Sequence, residues 1–257
     1  MGFEGATAIV TGGASGIGGR VTERLHEAGA HVVVGDWNPD SLDAIAQLGD
    51  RIHPVRIDVR EEGDIERMVA VARDLGGLKL AVNAAGIGEG TQIVDQDLET
   101  WNKVLGVVLT GVFLAVKHEA RELIRIGQGG AIVNVASINS NIPTWGSGAY
   151  SAAKSGVEML TRTSAYELAE YGIRVTCVSP GLVDTPMAAR TGNMTPQHIA
   201  RWMEHTPLGR VGTPDDIASA ILYLGGDEAT WVTGHNLVVD GGLTWTAGPV
   251  TRDLAQG

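Results

Sequence analysis

The sequence predicts an α/β domain built on a doubly wound, mostly parallel seven-stranded sheet with helices on both faces. Three observations predict it. Seven short runs rich in Val, Ile and Ala alternate with longer stretches of helical period, as expected for strands buried on both faces of a parallel sheet. The first run leads straight into the glycine-rich segment TGGASGIG (11–18), a strand–turn–helix signature. Small and polar residues end the runs, in TGGASGIG, GD, DV, NAAG, VAS and SPG. Ligands of such sheets bind beyond the carboxyl ends of the strands, so these segments mark one edge as the binding edge.

The first strand is ATAIVT (6–11), and Ile17, Val21 and Leu25 recur every four residues in the helix after it. HVVVGD (31–36) is the second strand, a helix occupies about 40–48, and IHPVRIDV (52–59) is the third strand. Ile65, Met68, Val69, Ala72 and Leu75 give one apolar face to a helix over 61–75. The fourth strand lies in LKLAVNAAG (78–86), followed by a long helix over about 98–125. GAIVNVAS (130–137) is the fifth strand, and a helix runs from Tyr150 to Tyr171. IRVTCVSPG (173–181) and NLVVDGG (236–242) complete the sheet. All 257 residues are expected to form a single domain.

Composition narrows the function. A formal charge of −11 argues against nucleic acid, which needs a basic face, and against anionic membranes or acidic carrier proteins. Cys177 is the only cysteine, so no intrachain disulfide forms and a reducing, cytoplasmic setting is expected. No signal peptide and no long uninterrupted apolar run is visible. The seven histidines show no ligand-like clustering, and no metal is expected.

The glycine-rich segment fits a dinucleotide. Gly12, Gly16 and Gly18, with Ser15 and Ile17 between them, let the backbone turn and approach a pyrophosphate, while the helix N-terminus offers N–H groups and a positive dipole end. Asp36 ends the second strand about 20 residues later, where a carboxylate hydrogen-bonds the adenine ribose of NAD. A 2′-phosphate would meet an anion there, and neither Ser15 nor Trp37 supplies a cation, so NAD is the expected cofactor. Asp36 read as an ordinary cap of the next helix is the alternative, though Asn38 or Asp40 can fill that role. Asp58, followed by Val59, is placed to accept from the adenine amino group. Asn83, Ala85 and Gly86 leave room for the adenosine ribose.

The segment AYSAAKSGVEM (149–159) carries the chemistry. Tyr150 and Lys154 stand four apart and share a helix face. A nearby cation favours the phenolate, so Tyr150 can exchange a proton with an alcohol or ketone while hydride moves to or from a nicotinamide. Ser137, thirteen residues before Tyr150, is positioned to hold the substrate oxygen. Alone, each has a plain reading: a strand-end serine, a packing tyrosine, a solvated lysine. Their joint spacing after a phosphate loop does not.

Taken together, TGGASGIG, DV, NAAG, VNVAS, YSAAK, SPGLVDT and the late PLGRVGTPDDIASAILYL and VTGHNLVVDGG resemble the short-chain dehydrogenase/reductase family, in its single-domain NAD-preferring subgroup. The resemblance runs from about residue 5 to Leu243. It implies a Rossmann-type fold and a catalytic set of Ser137, Tyr150 and Lys154, with Tyr150 and Lys154 also at the cofactor and Lys154 on the nicotinamide ribose. It implies that Pro180, Gly181, Val183 and Thr185 approach the carboxamide. A mobile lid over about 185–210, a tail at 244–257 and a homotetramer built on the two long helices and the last strand follow from the same likeness. Met187, Met194, Trp202 and Met203 of the lid, with Trp145, read as an adaptable apolar wall. Substrate contacts are therefore assigned to Ser137, Trp145, Tyr150 and Met187, and the substrate to an uncharged, apolar or alicyclic secondary alcohol or ketone. Arg190 and Arg201 offer the alternative of a substrate carboxylate.

One position departs from the family pattern. WNKVLGVVLTG (101–111) places Val108 where many members have an asparagine that helps hold a water linked to the lysine. A valine side chain gives that water nothing, although its backbone carbonyl can still serve if the helix keeps a local distortion. Two other functions stay open: a 3-oxoacyl reductase acting on acyl-carrier-protein or acyl-CoA, which Asp36 and the negative charge oppose, and an NAD-binding sensor whose turnover Val108 impairs.

Overall fold

The structure is a computed structural model that describes residues 2–245. The tail expected at 244–257 lies outside the described residues beyond Trp245, which closes a short 3-10 turn with Leu243 and Thr244. Seven strands form one sheet in the order β3-β2-β1-β4-β5-β6-β7. They are β1 Thr7–Thr11, β2 His31–Asp36, β3 Ile52–Arg56, β4 Leu78–Asn83, β5 Gly130–Val135, β6 Ile173–Pro180 and β7 Asn236–Val239. Every pairing is parallel. The chain winds outward from β1 to β3, returns to β4 beside β1, and winds the other way. The switch point thus falls between Thr11 and Asn83, which are paired in register.

Strand alternation splits the core. One face carries Val10, Val34, Val82 and Val133 and packs against α1 (Gly16–Glu27) and, later in the chain, α9 (Pro214–Gly225). The other carries Ile9, Val33, Ala81 and Ile132 beneath α3 (Glu62–Asp74), α5 (Gly111–Ile126) and α6 (Gly148–Leu168). Burial of two such layers is the main stabilising term of the fold. α2 (Pro39–Ala46) begins at Asn38, whose side chain accepts the Asp40 N–H. Periodicity did not single out α9, but its start is written in chemistry: Thr213 and Asp216 close a capping box ahead of it.

The long helix expected over 98–125 is interrupted. It consists of α4 (Leu98–Leu105), a π-helical turn over Gly106–Thr110, and α5. The Gly111 N–H reaches the Gly106 carbonyl, five residues back. The Leu98–Ile126 run is long and apolar enough by length and composition to cross a membrane, yet it packs on α3, α6 and β4 as part of the domain. Two short helices, α7 (Pro186–Arg190) and α8 (Pro196–Met203), form the segment expected to act as a lid.

Candidate active site

The glycine-rich loop is shaped by contacts that only glycine permits. A Cβ on Gly18 would sit 2.2 Å from the Gly12 carbonyl oxygen. Gly12 has φ +64 and a Cβ there would lie 2.7 Å from Ala85 Cα, while Gly16 has φ +57. The loop therefore packs backbone to backbone against the segment after β4. Gly86 faces open space. Ser15 takes the N-cap position of α1 with no capping bond from its side chain, and Ile17 packs against the core. This cradle fits a dinucleotide pyrophosphate at a helix N-terminus.

Asp36 is buried at the end of β2. Its Oδ2 accepts the Ala14 N–H at 3.3 Å and its Oδ1 the Asn38 N–H at 3.1 Å. Since Asn38 caps α2, Asp36 is not needed there, and its carboxylate lies against the glycine-rich loop. Asp58 is held below the usual carboxylate range by Arg60, which grips both of its oxygens. Val59 is buried and crowds against Gly111, leaving only its backbone for a ligand.

Asn83 is the last residue of β4. Its side chain turns into the protein, donating to Glu119 Oε2 and to Asn134 Oδ1, both at 3.0 Å. The segment after it is pinned to β1, the Ala84 N–H donating to the Thr11 carbonyl and the Ala85 N–H to the Thr11 hydroxyl. Asn134 passes the chain on to Thr161 at 2.9 Å. Thr11, Asn83, Asn134 and Cys177 are register partners across four neighbouring strands, so this polar seam runs under the site and ties β1, β4 and β5 to α5 and α6. Cys177 itself is inert, its thiol pushed up to about 12 by burial.

Glu119 is a buried carboxyl that sequence reading passed over, because KHEARELI reads as a solvated charged helix face. Its Oε1 has no partner among the described residues. Burial pushes it up from 4.5 to about 7, against the Asn83 hydrogen bond. Between those two values the folded chain holds a proton that the unfolded chain has lost. Stability from this group is therefore full below about pH 4.5, falls as pH rises, and is gone above about pH 7. The total is roughly 3 kcal/mol. Glu119→Gln should flatten the fall in thermal stability between pH 5 and pH 8, and a variant with the wild-type slope refutes the assignment.

Ser137, Tyr150 and Lys154 come together at the carboxyl edge. Ser137 is buried in extended backbone just past β5, and its Oγ accepts the Asn139 N–H at 3.1 Å. Its side chain lies near enough to the Tyr150 phenol to draw that group's pKa downward. Lys154 is buried, donates to the Val135 carbonyl at 2.6 Å, and stands 5.5 Å over the Tyr150 ring. The electrostatics differ from expectation. Burial pushes the phenol up to about 12, with Ser137 pulling it partly back, and pushes the Lys154 ammonium down to about 8. Desolvation is the largest cause of both shifts. The phenol is thus a proton donor at neutral pH until further positive charge arrives beside it.

Val108 is fully buried with Val104, Ala149 and Ala153, and Tyr150 packs against the same cluster. It lies inside the π-helical turn. The distortion that backbone participation requires is present at the position where the family pattern has asparagine. π-Turns concentrate at functional sites because they break the regular pairing of helix carbonyls.

The segment after β6 reaches the glycine loop. Pro180 ends the strand, the Gly181 N–H bonds the Val239 carbonyl, and Val183 is buried and bridged to Gly212. Thr185 caps α7 by accepting the Ala188 N–H, and a Cβ on Gly16 would lie 3.7 Å from Thr185. Met187 packs beside Gly88, while Trp145 is 80 % exposed. A cavity of about 590 Å³ opens between α8, Ile142 and Leu243, and Trp202 lines it. Met203 lines a smaller cavity of about 80 Å³ behind it. Away from this edge, Glu62, Glu66 and His118 come within 4.8 Å of one another; Lys117 and His118 already bond Glu62 and hold it down at about 2.

This arrangement defines an oxidoreductase domain with a dinucleotide cradle and a Ser–Tyr–Lys set, and comparison with known proteins agrees. A family model described as enoyl-(acyl carrier protein) reductase matches residues 12–244. A cis-4-hydroxycyclohexanecarboxylate dehydrogenase of Sinomonas cyclohexanicum is 40% identical over 247 residues, covering 94% of this chain and 98% of that protein. A 2,5-dichloro-2,5-cyclohexadiene-1,4-diol dehydrogenase of Sphingobium indicum is 35% identical, covering 95% and 97%. A solved short-chain type dehydrogenase/reductase from Mycobacterium ulcerans superposes with a TM-score of 0.91 at 34% identity, covering 100% of this chain and 96% of that one. The chain belongs to the short-chain dehydrogenase/reductase family. It is therefore an enzyme of a class that acts on alcohol and ketone groups with a nicotinamide cofactor.

Proposed function

We propose that the protein is an NAD-dependent dehydrogenase that interconverts an alicyclic secondary alcohol and its ketone. The observation that carries this reading is the meeting of Ser137, Tyr150 and Lys154 beside the glycine cradle. When bound, the nicotinamide supplies the hydride acceptor or donor. Ser137 holds the substrate oxygen, and Tyr150 takes the alcohol proton or returns it to the ketone. Lys154 orients the cofactor ribose and adds positive charge beside the phenol. The π-turn at Val108 leaves backbone carbonyls to serve the proton path. Asp36 favours NAD, and alicyclic chemistry is supported by the relatives named for cyclohexane and cyclohexadiene substrates.

The enoyl-reductase description of the family model favours an acyl-carrier-protein substrate as the second reading. A net charge of −11 repels an acidic carrier. We assign the protein to the cytoplasm, as a homotetramer. Phe113, Met159 and Tyr166 are exposed on α5 and α6 at 46%, 57% and 88%, and β7 is an open sheet edge. The test is nicotinamide absorbance with NAD and a panel of cyclohexanols, then with NADH and the matching ketones. Turnover of ring alcohols is expected, and turnover confined to 3-oxoacyl thioesters would replace this reading with the second.

A further inference from the structure

We infer that the substrate carries a carboxylate on its ring and that Arg201 binds it, so that the enzyme acts on an alicyclic hydroxy or oxo acid. This deepens the dehydrogenase reading and rests on it. The cavity of about 590 Å³ falls within the roughly 300–1,000 Å³ of small-molecule sites. It lies at the carboxyl edge of β5 to β7. Ile142 on its wall follows Ser137 by five residues, and the Ile142 N–H bonds the Ile138 carbonyl. Cavity wall and catalytic serine thus belong to one short turn.

The lining is divided by chemistry. Ile142, Trp202 and Leu243 make an apolar surface suited to a saturated ring, while His198, Arg201 and His205 form a row on one side. Their spacing of three and four keeps them on one helix face, with His205 continuing the row just past α8. Glu204 does not line the cavity.

Charge accounting points the same way. The chain has 30 acidic and 19 basic residues, and Arg20, Arg60, Arg125 and Arg210 each sit on a carboxylate. Arg201 is exposed and, like Arg56, Arg121 and Arg190, has no carboxylate partner among the described residues, but of these four it alone lines the cavity. In an acidic protein, a guanidinium left without a carboxylate on a cavity wall is matched to an anion brought by the ligand. A guanidinium fork binds a carboxylate through two parallel hydrogen bonds. An uncharged ring would gain nothing from it, so the expectation of an uncharged substrate gives way to an acid-bearing one.

The test uses the full chain with saturating NADH and two non-reacting probes, cyclohexanecarboxylate and cyclohexanecarboxamide. Binding is read by calorimetry and by Trp202 fluorescence. The carboxylate should bind about 10- to 100-fold more tightly than the amide. Arg201→Gln should erase that difference without changing amide binding or thermal stability, and Arg201→Lys should restore part of it. With 4-hydroxycyclohexanecarboxylate as substrate, Arg201→Gln should raise KM by the same factor and leave kcat within about twofold. Equal affinity for the two probes, or unchanged carboxylate binding by Arg201→Gln, overturns the proposal. Tight carboxylate binding with no turnover of any ring hydroxy acid overturns the assignment to substrate. Turnover of neutral ring alcohols alone overturns it too, while sparing the dehydrogenase reading.

Discussion

Tyr150→Phe is expected to lower kcat by at least about 1,000-fold, toward the upper end of what a single general acid–base group contributes. It should leave NADH affinity within about threefold and the fold intact. The phenylalanine ring keeps the packing against Val104, Val108, Ala149 and Ala153 and still lies under Lys154. What disappears is the hydroxyl and, with it, its interaction with the nearby Ser137 side chain. Stopped-flow absorbance gives the rate and fluorescence titration gives the NADH affinity. A variant that keeps wild-type kcat removes Tyr150 from the chemistry. One that loses NADH binding along with activity shows Tyr150 to be structural.

Replacing Asp36 should have the second-largest effect. The wild type is expected to prefer NAD over NADP by two to three orders of magnitude. A 2′-phosphate about 4 Å from the Asp36 carboxylate would meet about 4 kcal/mol of repulsion per unit charge at the effective dielectric of a partly buried site. Asp36 is buried, so salt screens it poorly. Asp36→Ala combined with Trp37→Arg removes the anion and supplies a cation at an exposed neighbour. It should lower the NAD-to-NADP ratio of kcat/KM by about 100-fold or more. A wild type that already prefers NADP contradicts the placement of the ribose at Asp36.

What could be read from the sequence was what local pattern encodes. Seven apolar runs gave the strands, because each is buried on both faces and its neighbours in sequence repeat that pattern. The Gly12–Gly18 loop was legible because its glycines answer to close backbone contacts that the structure displays. Tyr150 and Lys154 were legible because helix geometry alone sets their separation.

What stayed hidden depends on contacts distant along the chain or on burial. The sequence places Asn83 at a strand end beside a ribose, but not the inward turn of its side chain, which Glu119 and Asn134 impose from two other elements. Glu119 sits in a charged run in which nothing local separates it and the buried His118 and Glu122 from the exposed Arg121 and Arg125. The π-turn around Val108 is invisible to periodicity, since one extra residue in a long apolar helix leaves composition unchanged. The sign of the Tyr150 perturbation also escaped, because spacing reports the nearness of Lys154 and not the desolvation that both groups suffer.

The most direct test of the account is the fate of the hydrogen on the carbinol carbon. A ring alcohol deuterated at that carbon is incubated with the enzyme and NAD, and the reduced dinucleotide is examined by mass spectrometry and NMR. The account predicts one deuterium on one face of nicotinamide C4, with none washed out to water, and no label transferred by Tyr150→Phe on the same timescale. Deuterium recovered in solvent, or equal transfer by wild type and Tyr150→Phe, would contradict it.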